Sequence, residues 1–265
     1  MKTILITGST DGIGKLAAKK FAAEGHQLLL HGRNSQKLEQ TIEEIKAVSV
    51  QQGIEGFLSD LSDFEDAREM VNLIIAKYSK IDILINNAGV FKVGNKSNRE
   101  GLDVRFAVNY LAAHILTNGL LPLLKNSEAP RVLNLSSAAQ SSVVLDALEG
   151  EQRLSEQEAY AQSKLALTMW SFDFAAAYPD ITTIAVNPGS LLNTKMVQEA
   201  YGQYWSSAEK GADILHDLAL SERYAGDSGQ YFDNDKGDFN NAHADAYNKE
   251  KIEQLRIVTH KILQS

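Results

Sequence analysis

Cysteine is absent from this chain, and proline is scarce. The 265 residues contain no Cys and only 4 Pro, so disulfides, a cysteine nucleophile and thiolate metal sites are excluded. This composition is typical of a protein from a reducing compartment. Clustered positive charge is also lacking, and the formal net charge is −8. We therefore expect neither a nucleic-acid nor an anionic-membrane partner, because both need clustered Lys and Arg.

Long hydrophobic runs are lacking as well. No stretch approaches the roughly 20 apolar residues that a transmembrane helix requires, and the apolar run after Lys2 is too short for a signal-peptide core. The histidines show no metal-ligand spacing. Residues 233–238 resemble a calcium loop only in composition, because the glycine comes one place early and no Glu stands at the twelfth position. We predict a cytoplasmic protein with no metal, and a polar turn at 233–238.

Short apolar runs alternate with amphipathic stretches along the chain. The runs predict strands at 3–7, 27–31, 56–58, 83–86, 132–135, 183–186 and 230–232, and the stretches predict helices at 14–24, 35–48, 64–78, 100–124, 157–178 and 206–219. Apolar strands separated by helices indicate βαβ units. The predicted fold is α/β: a single Rossmann-type, doubly wound, mostly parallel seven-stranded sheet with helices on both faces, in one domain over residues 1–265. Segments 139–158 and 189–212 break the alternation and are expected to be substrate lids.

Three glycines follow the first predicted strand, where a helix begins. Their spacing is G-x-x-x-G-x-G, and such a turn lets the backbone approach a pyrophosphate that lies on the helix N-terminus. The alternative is a glycine-rich turn without a ligand, but the strand–turn–helix context favours a nucleotide. The predicted pyrophosphate-binding residues are Gly8, Ser9, Thr10, Asp11, Gly12, Ile13 and Gly14.

The end of the second strand indicates which dinucleotide is bound. Enzymes that prefer NAD place a carboxylate there for the ribose hydroxyl, whereas a nearby Arg accommodates a 2′-phosphate. Here Gly32 is followed by Arg33 and Asn34, and a guanidinium can bind a phosphate through two parallel hydrogen bonds. We predict NADP(H) as the cofactor; the alternative is that Arg33 is an ordinary surface residue. Further predicted cofactor contacts follow the third and fourth strands, at Asp60, Leu61, Asn87, Ala88 and Gly89.

Six motifs occur in a characteristic order along the chain. They are TGSTDGIG, NNAG, an Asn in the following helix, a Ser-Ser pair, YAQSK and NPG. With this order the chain resembles the short-chain dehydrogenase/reductase family over about residues 3–195. The resemblance implies that Asn109, Ser137, Tyr160 and Lys164 are the catalytic residues.

The chemistry of a Tyr-x-x-x-Lys pair explains its spacing. Tyr160 and Lys164 are one helical turn apart, so both side chains face the same way. A free phenol has a pKa of about 10, which is too high for an efficient acid/base at neutral pH. An ammonium about 4.5 Å away favours the phenolate by roughly 3–4 kcal/mol at an effective dielectric of ~20. The same spacing recurs at Tyr247 and Lys251, but no serine-bearing strand precedes it, so that pair is expected on a surface helix.

The resemblance also implies a role for each motif residue. Lys164 would hydrogen-bond the nicotinamide ribose as well as act on Tyr160. Ser137 rather than Ser136 would hold the substrate oxygen, because the catalytic serine of the family is usually the second of such a pair. Asn109 would order a water in a proton relay through Lys164; without the other three residues it would be interpreted as an ordinary polar helix residue.

The sixth strand ends at Pro188 and Gly189, where the backbone of the family contacts the carboxamide. The family often has Thr four residues after this Gly. Here Asn193 occupies that position and Thr194 follows it. Thr194 is included among the predicted cofactor contacts, but which of the two meets the nicotinamide is left open.

The spacing between the catalytic serine and tyrosine indicates a branch of the family. Ser137 and Tyr160 are 23 residues apart, and EAYAQSKLA surrounds the tyrosine; both features resemble the retinol-dehydrogenase-like branch, which implies an apolar alcohol or aldehyde. The aromatic residues at 201, 204 and 205 either line the substrate site or pack the second lid onto the sheet. The resemblance also allows a homo-oligomer, through the helices that hold Asn109 and Tyr160.

We therefore predict an NADP(H)-dependent oxidoreductase that transfers a hydride between the nicotinamide and a carbonyl or alcohol carbon of a small, apolar substrate. The main alternative is an NADPH-binding redox sensor without turnover, which is disfavoured because all four catalytic positions hold competent residues. A further alternative is an epimerase or dehydratase on the same fold. Such enzymes retain NAD tightly, and Arg33 with no acid at Gly32 argues against them.

Overall fold

The strands of this protein form one sheet. The computed structural model describes residues 1–50 and 53–264, with only the backbone of Tyr201. In the described chain the strands are β1 (Thr3–Ile6), β2 (Gln27–Gly32), β3 (Ile54–Leu58), β4 (Ile83–Asn86), β5 (Arg131–Leu135), β6 (Thr182–Asn187), β7 (Gln230–Asp233) and β8 (Asp238–Phe239). Their order across the sheet is β3-β2-β1-β4-β5-β6-β7-β8. All neighbours pair in parallel except β7 and β8, which are antiparallel.

Helices connect the strands and cover both faces of the sheet. They are α1 (Gly12–Ala23), α2 (Ser35–Lys46), α3 (Phe64–Lys77), α4 (Val104–Phe106), α5 (Ala112–Gly119), α6 (Leu121–Lys125), α7 (Leu145–Leu148), α8 (Glu156–Ala177), α9 (Lys195–Tyr201), α10 (Glu209–Leu220) and α11 (Lys249–Gln264). A π-helical segment, Ala107–Leu111, joins α4 to α5. One buried cluster packs α1, α2 and α10 on the sheet, and the other packs α3, α5, α8 and α11. Within the described ranges, no helix combines the length and the apolar composition needed to cross a bilayer.

Local sequence explains where several of these elements begin. The four residues of β4 are all buried, as expected for a strand that has helices on both faces. Asp11, Asn34 and Asp63 cap α1, α2 and α3, because each side chain accepts a hydrogen bond from an amide of the first turn. Ser155 and Glu158 form a capping box at the start of α8.

The direction in which the chain crosses the sheet changes between β1 and β4. β1 pairs with β2 on one side and with β4 on the other, so the connections that leave β1 and β4 run toward opposite edges. In such open sheets, ligands bind at the carboxyl ends of the strands where this change occurs. The residues that follow β1 and β4 are therefore the place to look for a site.

The predicted fold class is confirmed, with one strand more than the seven expected. β8 holds only Asp238 and Phe239, and two residues are too few to show a strand pattern. It forms a hairpin with β7, and the turn between them is the polar turn expected at 233–238. The seven other strands lie within two residues of their predicted bounds.

The single helix predicted over residues 100–124 is wrong, because the structure divides it. Asp103 caps α4, the wide turn of Ala107–Leu111 follows, and Pro122 stands in the first turn of α6, where proline is tolerated. A π-helical turn leaves the apolar residues on the buried side, so periodicity does not reveal it. The segments predicted as lids contain α7, whose Ala147 and Leu148 are buried, and α9.

Candidate active site

The glycine turn after β1 brings backbone close to backbone. Gly8 and Gly12 have φ values of 63° and 50°, in the region that favours glycine. A Cβ on Gly14 would lie 2.4 Å from Nδ2 of Asn87 and 2.5 Å from the Gly8 oxygen, so no larger residue fits there. The Asn87 amide donates to the carbonyl oxygens of Thr7 at 2.8 Å and Gly8 at 3.0 Å. It thereby fixes the turn to the end of β4.

The N-terminus of α1 borders an open cleft of about 270 Å³. Asp11 accepts a hydrogen bond from the Gly12 amide at 2.7 Å. Asn193 and Ser207, from the predicted second lid, also line the cleft. The methyl group of Thr194 would lie 3.5 Å from a Cβ on Gly12, and its hydroxyl caps α9. Both Asn193 and Thr194 therefore lie beside the predicted pyrophosphate position.

Gly32 ends β2 against the glycine turn. A Cβ at Gly32 would come within 2.5 Å of Cγ2 of Thr10, so a larger residue at this position would require the Thr10 side chain to move. Arg33 follows and is exposed to solvent. Asn34 has a structural role, because its Oδ1 accepts from the Lys37 amide at 2.9 Å as the cap of α2.

The residues after β3 and β4 lie at the same edge of the sheet. Asp60 is exposed, and its Oδ1 accepts hydrogen bonds from the amide and the hydroxyl of Ser62 at 2.9 and 2.8 Å. Leu61 is buried in the core, so only its backbone can face a ligand. The Ala88 amide donates to Oγ1 of Thr7 at 2.9 Å, which joins the loop after β4 to the end of β1.

Tyr160 and Lys164 lie one turn apart on α8, as their spacing predicts. Nζ of Lys164 lies 5.7 Å from the centre of the Tyr160 ring and donates to the Leu135 carbonyl oxygen at 2.6 Å. Burial lowers the pKa of Lys164 from 10.5 to about 8, which the sequence does not predict. The Phe91 ring packs edge-on against Tyr160, with centroids 4.8 Å apart. A Cβ on Gly89 would lie 3.4 Å from Nζ, so the loop after β4 also meets Lys164.

Asn109 lies in the π-helical segment and is buried. Its Oδ1 accepts from the Val90 amide at 2.7 Å, and its Nδ2 donates to the Val90 carbonyl at 3.1 Å and to Oγ of Ser163 at 2.9 Å. The side chain is thus occupied by protein partners and holds the loop after β4 against α8. A π-helical turn at this point is typical of a functional position. The role of Asn109 in ordering a water for a proton relay stays a prediction.

The two serines after β5 have different surroundings. Ser136 is buried, and its hydroxyl is 2.6 Å from Oγ1 of Thr168 on α8. Ser137 is partly exposed, and its Oγ accepts from the Ala139 amide at 3.1 Å. The Ser137 carbonyl accepts from Gln140 at 2.9 Å and from the Tyr231 hydroxyl at 3.0 Å. Of the pair, Ser137 is the one whose hydroxyl is turned away from the core.

The loop after β6 is held by the β7–β8 turn. Asp235 accepts from the Ser190 amide at 2.8 Å and from the Ser190 hydroxyl at 2.5 Å. Asn234 donates to the Pro188 carbonyl at 2.8 Å. Gly189 has a φ of 122°, which favours glycine. The polar turn that resembles a calcium loop in composition therefore positions the residues predicted to contact the carboxamide.

Tyr204 and Trp205 of the second lid are exposed and do not pack onto the sheet. The two side chains are 53% and 73% exposed. A role in lining the substrate site stays a prediction for these two residues. The side chain of Tyr201 lies outside the described part of the structure.

Tyr247 and Lys251 do not share a helix. Tyr247 ends the 3-10 turn Ala244–Tyr247 and is half exposed, and its hydroxyl accepts from the Ala242 amide at 2.9 Å. Lys251 lies in α11 and pairs with Asp245 at 2.8 Å. The prediction of a surface helix is therefore confirmed for Lys251 and wrong for Tyr247.

Some residues that shape the site carry no sequence signal. A single His, Gln, Ser or Tyr acquires its partner only when segments that are distant in the sequence become neighbours. The residues that were missed for this reason are His31, Gln140, Ser163 and Tyr231. Asp235 was visible as part of a polar turn, but its contact with Ser190 was not.

Comparison with known proteins identifies the family. The model of the short chain dehydrogenase family matches residues 2–205, so the chain belongs to the short-chain dehydrogenase/reductase family. Its relatives include human retinol dehydrogenase 13, which is 31% identical over 251 residues that cover 88% of this chain and 76% of that protein. The predicted retinol-dehydrogenase-like branch is thereby confirmed.

Two further matches extend the comparison. Human polyprenol dehydrogenase is 34% identical over 210 residues, which cover 76% of this chain and 63% of that protein. The chain therefore spans less than two thirds of that relative. A Shigella flexneri protein described as a short chain dehydrogenase, solved in complex with NADP, superimposes with a TM-score of 0.72 at 28% identity, covering 88% of this chain and 97% of the other.

Proposed function

We propose that this chain is an NADP(H)-dependent oxidoreductase that transfers a hydride between the nicotinamide and a carbonyl or alcohol carbon of a small, apolar substrate. One observation carries the proposal. Tyr160 and Lys164 on α8 adjoin the loop after β4 through Gly89 and Phe91, and Lys164 bonds the end of β5. Tyr160 and Lys164 thus lie at the carboxyl edge of the sheet, near the glycine turn, where they would act as an acid/base pair.

The residues that follow β1, β2 and β3, here called the nucleotide edge, fit NADP(H). The turn at Gly8 and Gly12 leaves backbone exposed at the start of α1 beside an open cleft, where a pyrophosphate is stabilised. Gly32 supplies no carboxylate of the kind that selects NAD, and Thr10 packs close to it. The exposed guanidinium of Arg33 would bind the 2′-phosphate. The NADP complex of the Shigella flexneri protein supports the same cofactor.

Proton transfer is the part of the reaction that this chain supplies. The nucleotide held by the residues after β1 and β2 would supply the hydride for reduction and would take it up in oxidation. In reduction the Tyr160 phenol donates its proton to the carbonyl oxygen, and in oxidation the phenolate takes the alcohol proton. Lys164 would stabilise the phenolate. One N–H of its ammonium donates to the Leu135 carbonyl, and the others would hold the ribose. Ser137 holds the substrate oxygen.

An apolar substrate is supported from two sides. The Phe91 ring beside Tyr160 makes the neighbourhood of the reacting group apolar. The names of two relatives, a retinol and a polyprenol dehydrogenase, describe long apolar alcohols. We therefore assign an apolar alcohol or aldehyde to this site as well.

A substrate panel tests the function. The protein is mixed with NADPH and, in turn, with retinal, a short isoprenoid aldehyde and a polar aldehyde of similar length, and NADPH absorbance is followed. We expect turnover with the apolar aldehydes and little with the polar one. NADPH binding without turnover of any carbonyl compound in a wider panel would contradict the enzyme and favour the redox sensor.

A further inference from the structure

His31, near the end of β2, bridges two segments of the nucleotide edge. Its side chain is buried, with 4% exposed. Nδ1 accepts a hydrogen bond from the Gly8 amide at 3.0 Å, and Nε2 lies 3.0 Å from the carbonyl oxygen of Ser59. An amide can only donate and a carbonyl can only accept, so the hydrogen is on Nε2 and the ring is neutral.

The two partners of the imidazole belong to different parts of the proposed cofactor site. Gly8 is the first glycine of the turn after β1, and Ser59 follows β3 directly before Asp60. The backbone of His31 adds two hydrogen bonds to Ser9. Its carbonyl accepts from the Ser9 amide at 2.9 Å, and its amide donates to Oγ of Ser9 at 2.9 Å.

The Gly8 residue is thereby fixed on both sides. Its amide is held by His31, and its carbonyl accepts from Nδ2 of Asn87 at 3.0 Å. Gly8 has a φ of 63°, and glycine has more backbone freedom than any other residue. Hydrogen bonds from side chains to both the amide and the carbonyl of Gly8 therefore restrict a turn whose glycine is intrinsically mobile. Burial lowers the pKa of His31, which keeps Nδ1 available as an acceptor.

We propose that His31 is a positioning residue of the nucleotide site, whose Nδ1 holds the Gly8 amide and so presets the glycine turn for a dinucleotide pyrophosphate. The inference rests on the proposed NADP(H) function. A purely structural histidine would stabilise the fold through either ring nitrogen without a particular effect on the nucleotide. A positioning role requires the hydrogen bond to Gly8 for NADPH binding, whereas a purely structural role gives that bond no more importance than the bond to Ser59.

Two substitutions separate the hydrogen bonds. In His31→Asn the side-chain oxygen can take the place of Nδ1 and accept from Gly8, while the bond to Ser59 is lost. In His31→Gln the longer side chain can donate to Ser59 from the place of Nε2, while the bond to Gly8 is lost. The chain also offers a matched control, because Nδ1 of His26 accepts from the Lys2 amide at 3.1 Å at the opposite end of β2.

The experiment is a fluorescence titration of NADPH into the full chain, with urea unfolding of each variant in the absence of NADPH. We expect the Kd for NADPH to rise at least tenfold in His31→Gln and less than threefold in His31→Asn, with similar losses of stability in both. The KM for NADPH should rise in His31→Gln while kcat at saturating NADPH stays within twofold. His26→Gln should lose stability and keep its NADPH affinity.

Equal NADPH affinities of the two His31 variants would overturn the positioning role and leave the proposed function intact. If the unmodified protein bound neither NADPH nor NADH, the proposed function itself would fall. If neither variant folds, long-range ¹H–¹⁵N spectra of the unmodified protein decide. We expect the His31 ring to carry its hydrogen on Nε2 and to respond to NADPH; a hydrogen on Nδ1, or a ring that does not respond, would overturn the inference.

Discussion

Removing the buried charge of Lys164 should stabilise the folded protein while it removes the activity. The side chain of Lys164 lies in the protein interior, and its Nζ donates to the Leu135 carbonyl at 2.6 Å. Its pKa falls from 10.5 to about 8 because burial disfavours the charged form. Such a fall corresponds to about 3 kcal/mol of unfavourable free energy. Lys164→Met relieves this and loses one hydrogen bond from a charged group, worth about 2 kcal/mol, so the unfolding free energy should rise by about 1 kcal/mol at pH 7.

The stability difference between Lys164→Met and the unmodified protein should depend on pH, because Lys164 loses its proton at a lower pH in the folded state. Below pH 8 the folded and unfolded states both carry the Lys164 proton, and the cost of the buried charge is fully present. Between pH 8 and 10.5 the folded protein releases the proton and the unfolded chain keeps it, so the unmodified protein gains stability as pH rises. The advantage of Lys164→Met should shrink over this range and vanish near about pH 8.7, where the gain reaches about 1 kcal/mol.

Urea unfolding without cofactor, at several pH values from 7 to 9.5, measures the effect. Lys37→Met replaces an exposed lysine and serves as the control, for which we expect no pH-dependent difference. NADPH-dependent turnover of Lys164→Met should be lost at every pH. The reasoning is refuted if Lys164→Met is less stable than the unmodified protein at pH 7, or if the difference does not depend on pH.

Three further substitutions test the nucleotide edge. Arg33→Asp should raise the Kd for NADPH at least tenfold, about 1.4 kcal/mol, in fluorescence titrations; equal affinities of the unmodified protein for NADPH and NADH would contradict the assigned cofactor. Gly32→Ala should lower the unfolding free energy by about 1–3 kcal/mol, because its Cβ would meet Thr10 at 2.5 Å, whereas Gly94→Ala, with nothing within 4 Å, should change it little. Asp235→Asn should cost about 1–2 kcal/mol and raise the KM for NADPH, and an unchanged urea midpoint would show that its bonds to Ser190 carry no free energy.

The order of the elements and the placement of Tyr160 and Lys164 on one helix could be predicted from local pattern. Apolar runs such as β4 and caps such as Asp63 act over a few residues, so a sequence displays them directly. Tyr160 and Lys164 share one face of a helix because their spacing falls inside a stretch with a helical apolar pattern, which Tyr247 and Lys251 lack. The same holds for the glycine turn, where strand, turn and helix are consecutive.

Features that depend on distant neighbours could not be predicted. The imidazole of His31 acquires its partners only when β1 and β3 come to lie on either side of β2. The depressed pKa of Lys164 follows from packing by several elements. β8 was missed because it has two residues, and the π-helical turn at Asn109 because a wide turn leaves the apolar pattern unchanged.

The most direct test of the central claim is the turnover of Tyr160→Phe with NADPH and an accepted aldehyde. Phenylalanine keeps the ring that packs on Phe91 and removes only the proton donor. The account predicts a fall in kcat of about 10² to 10⁴, an unchanged Kd for NADPH, and near-normal turnover of the control Tyr247→Phe. Near-normal turnover of Tyr160→Phe, or loss of turnover in Tyr247→Phe, would contradict the assignment of Tyr160 as the acid/base.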